Sequence, residues 1–250
     1  MVNKQRYKES RRVFMTVSYI RSQQGFSLGY TPITTIGEPV KDTSMNFGIL
    51  KLAAGEERSL TANYESAYLL LSGKVEWQYE RESYLASRHC FFTEHPIAIH
   101  FSKQSNVTIK AHSAAELAVI QTENEKSFET TVFDSKNSLG YEHKGKGLLN
   151  NTAYRIVRNI FNAKNRPDAN LVLGEVINFP GCWSSYPPHR HEQPEIYHFR
   201  FTEPYGYGHG ELGDTVYKIQ NYSTLKILNN KDHAMVAAPG YGMYCLWVVR

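Results

Sequence analysis

Residues 183–201 read WSSYPPHRHEQPEIYHFRF, and this pattern predicts two short strands joined by a polar turn. Side chains two apart on a strand project from the same face, so His189 and His191 can converge on one point. Glu195 begins the following strand, with Tyr197 on the same face. Two imidazoles and a carboxylate suit a divalent metal ion such as Zn, Mn, Fe or Ni. The alternative interpretation is a polar turn beside a tyrosine-rich strand.

A fourth ligand would complete such a site, and two histidines further along the chain are candidates. His209 lies in YGYGHG, and His233 lies in KDHAMVAAPG. Spacing alone leaves both of them open.

The rest of the chain also favours an all-β protein. Hydrophobic residues make up 41% of the 250 residues, and 17 tyrosines suit β-rich packing. Runs of strand length end at turn residues in both halves. Examples are NFGILKLAAGEE (46–57), AYLLLSGKVEWQYE (67–80), NVTIKAHSAAELAVI (106–120), LVLGEVINFPG (171–181) and YGMYCLWVV (241–249). The stretch 136–151 is typical of a connection, and TAYRIVRNIF (152–161) fits either a short helix or a strand.

A weak internal repeat predicts two copies of one unit. Two glycines seven apart, at 48 and 55, have counterparts at 174 and 181. Glu65 and Glu195 then each open a strand. The spacer before Glu195 contains PPHRH, whereas the spacer before Glu65 has no histidine. The repeat therefore assigns the polar motif to the second unit alone, with chance similarity between two strand pairs as the alternative.

Charge and cysteine content exclude several classes of protein. The first 22 residues carry six basic residues against one acidic residue, so the remaining 228 residues have a net charge of −1. Because no basic stripe continues beyond this N-terminal stretch, nucleic-acid binding is not expected. No apolar run approaches the ~20 residues that span a bilayer, and the first residues lack the apolar core of a secretory signal. The three scattered cysteines indicate a reduced, cytoplasmic protein.

Three segments closely resemble the 5-deoxy-glucuronate isomerase family of bacterial inositol catabolism, which is related to the uronate ketol-isomerases of pectin breakdown. They are GCWSSYPPHRH (181–191), EIYHFRF (195–201) and HAMVAAPGYGMYCLWV (233–248). The resemblance covers most of residues 45–249. It implies a bicupin, with two tandem double-stranded β-helix (jelly-roll) barrels. We expect a metal-free N-terminal cupin-like domain over 1–135 and a C-terminal cupin domain with the metal site over 136–250.

The resemblance implies one divalent metal ion per chain, held by His189, His191, Glu195 and His233. It selects His233 over His209 because HAMVAAPGY stands where the family carries its last ligand. It also implies aldose–ketose isomerisation of a uronic-acid-type sugar, 5-deoxy-glucuronate to 5-dehydro-2-deoxygluconate.

The chain departs from the family pattern near the expected substrate pocket. Ala234 follows the last histidine where relatives carry Pro, and the segment 217–233 differs as well. These changes keep two alternative functions open. One is a non-catalytic carbohydrate-sensing cupin, and the other is a metal-dependent dioxygenase.

For catalysis, Tyr197 is the candidate proton donor or orienting group because it shares the face of Glu195. His209 is the second acid–base candidate. A tyrosine packed in the barrel and a histidine in a surface turn are the respective alternatives.

A substrate carboxylate calls for Arg or Lys, and three basic residues lie in family-like segments. These candidates are Arg158, Arg190 and Lys146. Arg200 is expected to point away from the metal by strand alternation. The expected partner is a small sugar acid, without nucleic acid or membrane. Barrels with long sheet edges often pair, so a homo-oligomer is expected.

Overall fold

A computed structural model describes residues 18–250, and the regular secondary structure in this range is almost entirely β-strand. The described residues form twenty strands and one 3₁₀ turn, Leu149–Asn151. In chain order the strands are β1 (Tyr19–Arg21), β2 (Gly29–Thr34), β3 (Met45–Leu52), β4 (Glu57–Thr61), β5 (Glu65–Tyr79), β6 (Glu82–Arg88), β7 (Ala98–Phe101), β8 (Asn106–Ala111), β9 (Ala115–Thr122), β10 (Thr131–Phe133), β11 (Gly140–Lys144), β12 (Arg155–Phe161), β13 (Val172–Asn178), β14 (Trp183–His189), β15 (Glu195–Phe201), β16 (Tyr207–Leu212), β17 (Thr215–Gln220), β18 (Ser223–Ile227), β19 (His233–Ala237) and β20 (Met243–Val249). The all-β class is confirmed, and the segment 152–161 contains the strand β12 rather than a helix.

The strands form three antiparallel sheets. A nine-stranded sheet contains β2 to β10, with β10-β7-β5-β9-β3-β2 as its main order and β4, β6 and β8 attached through β5. A seven-stranded sheet has the order β1-β18-β15-β20-β13-β12-β11, and a four-stranded sheet has the order β14-β19-β16-β17. Each sheet runs from edge strand to edge strand without closing on itself among the described residues. The description as two barrels therefore remains a proposal.

The nine-stranded sheet folds around its own core because β5 serves two surfaces. The first half of β5 pairs with β7 and β9, and its second half pairs with β6 and β8. Gly73 makes the bend between the halves, with φ of +102° and space for no side chain, since a Cβ there would lie 2.4 Å from the Ala114 carbonyl oxygen. The enclosed core includes Trp77, Leu70 and Phe101, all fully buried. Burial of each such side chain contributes roughly 1.5–3 kcal/mol.

The seven-stranded and four-stranded sheets enclose a second core, and alternation along β15 decides which residues enter it. Tyr197 and Phe199 pack into this core, together with Met235 of the four-stranded sheet. Ile196 packs on the opposite face of β15, against the nine-stranded sheet. Arg200 also faces that side, where it pairs with Glu116 of β9. It points away from the predicted ligands, as the alternation predicts.

The nine-stranded and seven-stranded sheets pack against each other through a third apolar core and a buried ion network. Glu175 of β13 is fully buried there. Arg88 donates to its two oxygens at 2.7 and 2.8 Å, and the Tyr244 hydroxyl donates at 2.7 Å. Arg158 of β12 lies 3.3 Å from the same carboxylate. The four side chains join two sheets that come from different parts of the chain.

Strands β2 to β10 belong to the nine-stranded sheet, and strands β11 to β20 belong to the other two sheets. Strand β1 is the one exception to this division along the described residues. Strand β1 pairs with β18 of the seven-stranded sheet, and the Tyr19 hydroxyl lies 2.8 Å from Ser223 Oγ. The division at residues 135 and 136 remains a proposal. Most of the basic N-terminal stretch lies outside the described residues. Within residues 18–250, no helix is long and apolar enough to cross a bilayer.

The predicted repeat aligns Glu65 with Glu195. In the structure this alignment is one residue out of step, because the two side chains face opposite sides of their sheets. Both glutamates are the first residue of their strand, β5 or β15. Glu195 shares a face with Tyr197, toward the core of its own unit, whereas Glu65 shares a face with Ala67, toward the other unit. Glu65 accepts a hydrogen bond from the backbone N–H of Leu171 at 3.0 Å, so it has a structural role between the two units. Because side chains alternate, a slip of one residue exchanges the two faces.

Candidate metal centre

Strand ends bring the predicted ligands together. His189, the last residue of β14, lies directly opposite His233, the first residue of β19. His191 follows two residues later, and Glu195 is the first residue of β15. The nitrogen atoms that the three histidines offer all lie within 4.8 Å of one another. His189 is exposed, His191 is half-buried and His233 is fully buried.

Backbone carbonyls set the orientation of two imidazoles. The Nδ1 atom of His191 lies 2.9 Å from the Gln193 carbonyl oxygen, and Nδ1 of His233 lies 3.1 Å from the Lys231 carbonyl oxygen. Because a carbonyl only accepts hydrogen bonds, each Nδ1 carries the proton and donates it. The Nε2 lone pairs are then left for another partner, as in histidines that ligate a metal.

The Nε2 atoms converge on one carboxylate oxygen, and this arrangement fits a divalent ion. Glu195 Oε2 lies 3.1 Å from Nε2 of His191 and 3.3 Å from Nε2 of His233. The buried Nε2 of His233 has no hydrogen-bond partner among the described residues. Acceptor atoms this close repel each other unless a cation lies among them, either a proton or a metal ion. Imidazole and carboxylate together form a ligand set for Zn, Mn, Fe or Ni.

Local electrostatics favour the metal-binding state at two of the predicted ligands, His189 and Glu195, and oppose it at His191. Burial lowers the pKa of His189, and the neighbouring His233 lowers it further. The hydrogen bond to Glu195 raises the pKa of His191. Burial would raise the pKa of Glu195, but the hydrogen bond from His191 and the charge of both His191 and His233 outweigh burial and hold that pKa below its ordinary value. Glu195 is therefore an anion at neutral pH, and a bound cation displaces the proton that His191 would otherwise share with it.

The cluster opens into a cavity of about 270 Å³, near the lower end of the range for small-ligand pockets. Trp247 and Val157 form part of an apolar wall. Tyr197 lines the same cavity, and its hydroxyl lies 2.9 Å from Ser185 Oγ. Burial and the nearby Glu195 charge raise the pKa of Tyr197 well above its ordinary value. The phenol therefore stays protonated and can donate a hydrogen bond into the cavity.

The structure does not bring the remaining predicted residues into this cavity. His209 is exposed on β16, where its neighbours Gly208 and Gly210 are buried and face inward. Arg158 is buried between the sheets, where it donates to the Phe92 carbonyl at 2.7 Å and pairs with Glu175. Arg190 and Lys146 are exposed on loops. Neither of the two lines the cavity.

Two basic residues that the sequence analysis did not select do line the cavity. They are Arg155 at the start of β12 and Lys144 at the end of β11, which lie opposite each other in the β11–β12 register. Strand alternation places Arg155 on the face of Val157 and Arg158 on the other face. The alternation of side chains in RIVRNIF (155–161) would have indicated this orientation if the segment had been predicted as a strand.

The family model described as the KduI/IolB family matches residues 19–250. The chain belongs to the KduI/IolB family. This membership confirms the resemblance and covers the strands of all three sheets.

Relatives in the KduI/IolB family are named as isomerases. The 5-deoxy-glucuronate isomerase of Geobacillus kaustophilus is 25% identical over 250 residues, covering 93% of this chain and 87% of that protein. The chain is accordingly an enzyme, an isomerase of the intramolecular oxidoreductase class.

Solved structures show the fold. An IolB-like protein from Salmonella typhimurium LT2 has a TM-score of 0.79 at 21% identity, covering 93% of this chain and 92% of that one. The cupin 2 conserved barrel domain protein from Leptotrichia buccalis has a TM-score of 0.56 at 15% identity, covering 93% and 96%. The fold is therefore cupin-like.

Proposed function

We propose that this isomerase is metal-dependent and interconverts an aldose and a ketose of the uronic-acid type, with 5-deoxy-glucuronate as substrate and 5-dehydro-2-deoxygluconate as product. The observation that carries the proposal is the convergence of two Nε2 atoms on Glu195 Oε2, beside a third imidazole and a cavity. The names of the relatives supply the substrate. The ligands are His189, His191, Glu195 and His233, and they hold one divalent ion per chain.

The proposal includes a bicupin organisation. The N-terminal unit, residues 1–135, contributes β2 to β10 and no metal ligand, and the C-terminal unit, residues 136–250, holds the metal. The separate apolar cores of the two units support this division. Glu65 is fully buried and faces the C-terminal unit rather than the core of its own unit, and this orientation supports a metal-free N-terminal unit.

When bound, the metal supplies a Lewis acid that stabilises negative charge developing on the substrate oxygens. The protonated Tyr197 hydroxyl donates to one of those oxygens, and Ser185 Oγ orients it. Trp247 and Val157 exclude water from one side of the cavity, which strengthens these polar interactions.

The test is metal content by elemental mass spectrometry, followed by an isomerase assay with 5-deoxy-glucuronate. His191→Ala removes one proposed ligand. His112→Ala is the matched control, because His112 forms a similar pair with Glu76 at 3.1 Å on the far sheet. We expect near one metal ion per chain and turnover in the wild type and the control, with both lost in His191→Ala.

Two results would contradict the proposal. One is a wild-type protein that stays metal-free after incubation with Zn, Mn, Fe and Ni. The other is a metal-loaded protein that consumes O₂ and leaves the sugar acid unisomerised, which would support a dioxygenase.

A further inference from the structure

The cavity beside the proposed ligands contains one half-buried cation, Arg155. It begins β12 and shares the inward face of that strand with Val157, so its side chain lies among the residues that enclose the C-terminal core. Burial lowers its pKa, and the nearby Tyr197 acts in the opposite direction. An arginine keeps its charge through such a shift because its ordinary pKa exceeds ~12. The cavity therefore has a fixed positive charge.

No carboxylate within residues 18–250 forms a salt bridge with Arg155. Among residues 18–250, the guanidinium group has one hydrogen bond, from Nη1 to the Ala153 carbonyl at 2.9 Å, and forms no salt bridge. The more deeply buried arginines differ in this respect. Arg88 and Arg158 share Glu175, and Arg200 pairs with Glu116. A half-buried arginine that faces a cavity with donors to spare is suited to a carboxylate ligand, which it can bind through two parallel N–H···O bonds.

The surrounding charges favour an anion further. The carboxylate of Glu195 is held by the imidazoles of His191 and His233, and a divalent ion would more than offset it. Lys144 stands opposite Arg155 at the rim, exposed, with its Nζ 3.2 Å from Glu142. Arg155 is thus the cavity-lining cation that has no carboxylate partner among residues 18–250, beside the proposed metal position.

We propose that Arg155 determines specificity by binding the carboxylate of the sugar acid, with Lys144 adding positive charge at the rim. This inference rests on the proposed function and replaces Arg158, Arg190 and Lys146 as carboxylate anchors. Its chemical consequence is discrimination by charge. A sugar with a carboxylate binds well, and a sugar of the same shape with an amide binds poorly.

The test compares glucuronate with glucuronamide, which differ only in that group, by calorimetric titration of protein of measured metal content. The variants are Arg155→Gln and Arg155→Lys. The control is Arg81→Gln, an exposed arginine in the β5–β6 turn that undergoes the same change of charge. We expect Arg155→Gln to weaken glucuronate binding roughly 10- to 100-fold, the worth of a charge-assisted hydrogen bond, and to leave glucuronamide binding within about twofold. The affinity of Arg155→Lys for glucuronate should lie between those of the wild type and Arg155→Gln, because lysine keeps the positive charge and loses the two parallel N–H donors.

Three results would overturn the inference. They are equal weakening of both ligands, unchanged glucuronate binding in Arg155→Gln, and no glucuronate binding to the wild type. Unfolding temperature and metal content separate a misfolded variant from a specific loss. The titration needs no turnover, so a wild type that binds glucuronate through Arg155 and does not isomerise 5-deoxy-glucuronate would refute the proposed function alone.

Discussion

Replacing Glu175 with Gln removes the carboxylate that Arg88 and Arg158 share between two sheets. The side chain is fully buried and accepts hydrogen bonds at 2.7 and 2.8 Å from Arg88 and at 2.7 Å from Tyr244. An amide of the same shape leaves one acceptor oxygen and turns an NH₂ donor toward guanidinium groups, which only donate. Removing one partner from a buried ion pair costs about 3–5 kcal/mol because the remaining charge is buried without compensation. We expect the free energy of unfolding to fall by that amount, a large part of the ~5–15 kcal/mol typical of a folded protein.

Urea unfolding followed by circular dichroism measures this change by linear extrapolation, with an unchanged slope as the sign that the unfolded state is the same. Asp168→Asn is the matched control. Asp168 lies 3.2 Å from Lys126, and both side chains are more than half exposed, so its loss should cost less than about 1 kcal/mol. If Glu175→Gln costs no more than this control, the argument from burial is refuted and the network does not hold the sheets together.

The remaining predictions concern the metal centre and acid stability. His233→Ala should lower metal affinity roughly 10-fold or more in a competition titration with a chelator, and unchanged affinity would remove His233 from the ligand set. Tyr197→Phe deletes one hydroxyl, so kcat for 5-deoxy-glucuronate should fall roughly 10²- to 10⁴-fold at constant metal content; kcat within about twofold of wild type would contradict the donor role. Burial holds the pKa of His198 well below its ordinary value, so the folded protein keeps this imidazole neutral while the unfolded chain binds a proton below about pH 6.5. The unfolded state therefore gains protons as pH falls from 7 to 5, and stability should drop by at most ~1.4 kcal/mol per pH unit from this residue. Urea unfolding at both pH values should show a smaller drop in His198→Gln, and equal drops would exclude His198 as a source.

Local geometry accounts for the part of the site that the sequence could predict. Glu195 and Tyr197 alternate onto one face of β15, as their spacing predicts. The expectation that His189 and His191 share a strand was wrong for His191, because β14 ends at His189 and His191 lies in the following loop. His233 required more information, because its proximity depends on the β14–β19 register, which pairs it with His189 across more than forty residues. Spacing alone left His209 as an equal candidate, and only the resemblance selected His233.

The proposed carboxylate anchor, Arg155, shows why an uncertain secondary-structure prediction over a few residues has a large effect. The sequence analysis left residues 152–161 open as helix or strand. Residues 155 and 158 are three apart, so they share a face of a helix and lie on opposite faces of a strand. The strand places Arg155 in the cavity and Arg158 in the ion network with Glu175. The same alternation of side chains explains why Glu65 and Glu195, which are aligned in the repeat, face opposite sides of their sheets.

The pairing of β1 with β18 has a consequence for the order of events during synthesis. Tyr19 leaves the ribosome before its hydrogen-bond partner Ser223, which follows 204 residues later. At a translation rate of ~5–20 residues per second, roughly 10–40 s pass between the synthesis of β1 and that of its pairing partner β18. The nine-stranded sheet can assemble within that interval, whereas the seven-stranded sheet cannot acquire its β1 edge until β18 has been made. The first strand of the described residues is thus among the last to pair.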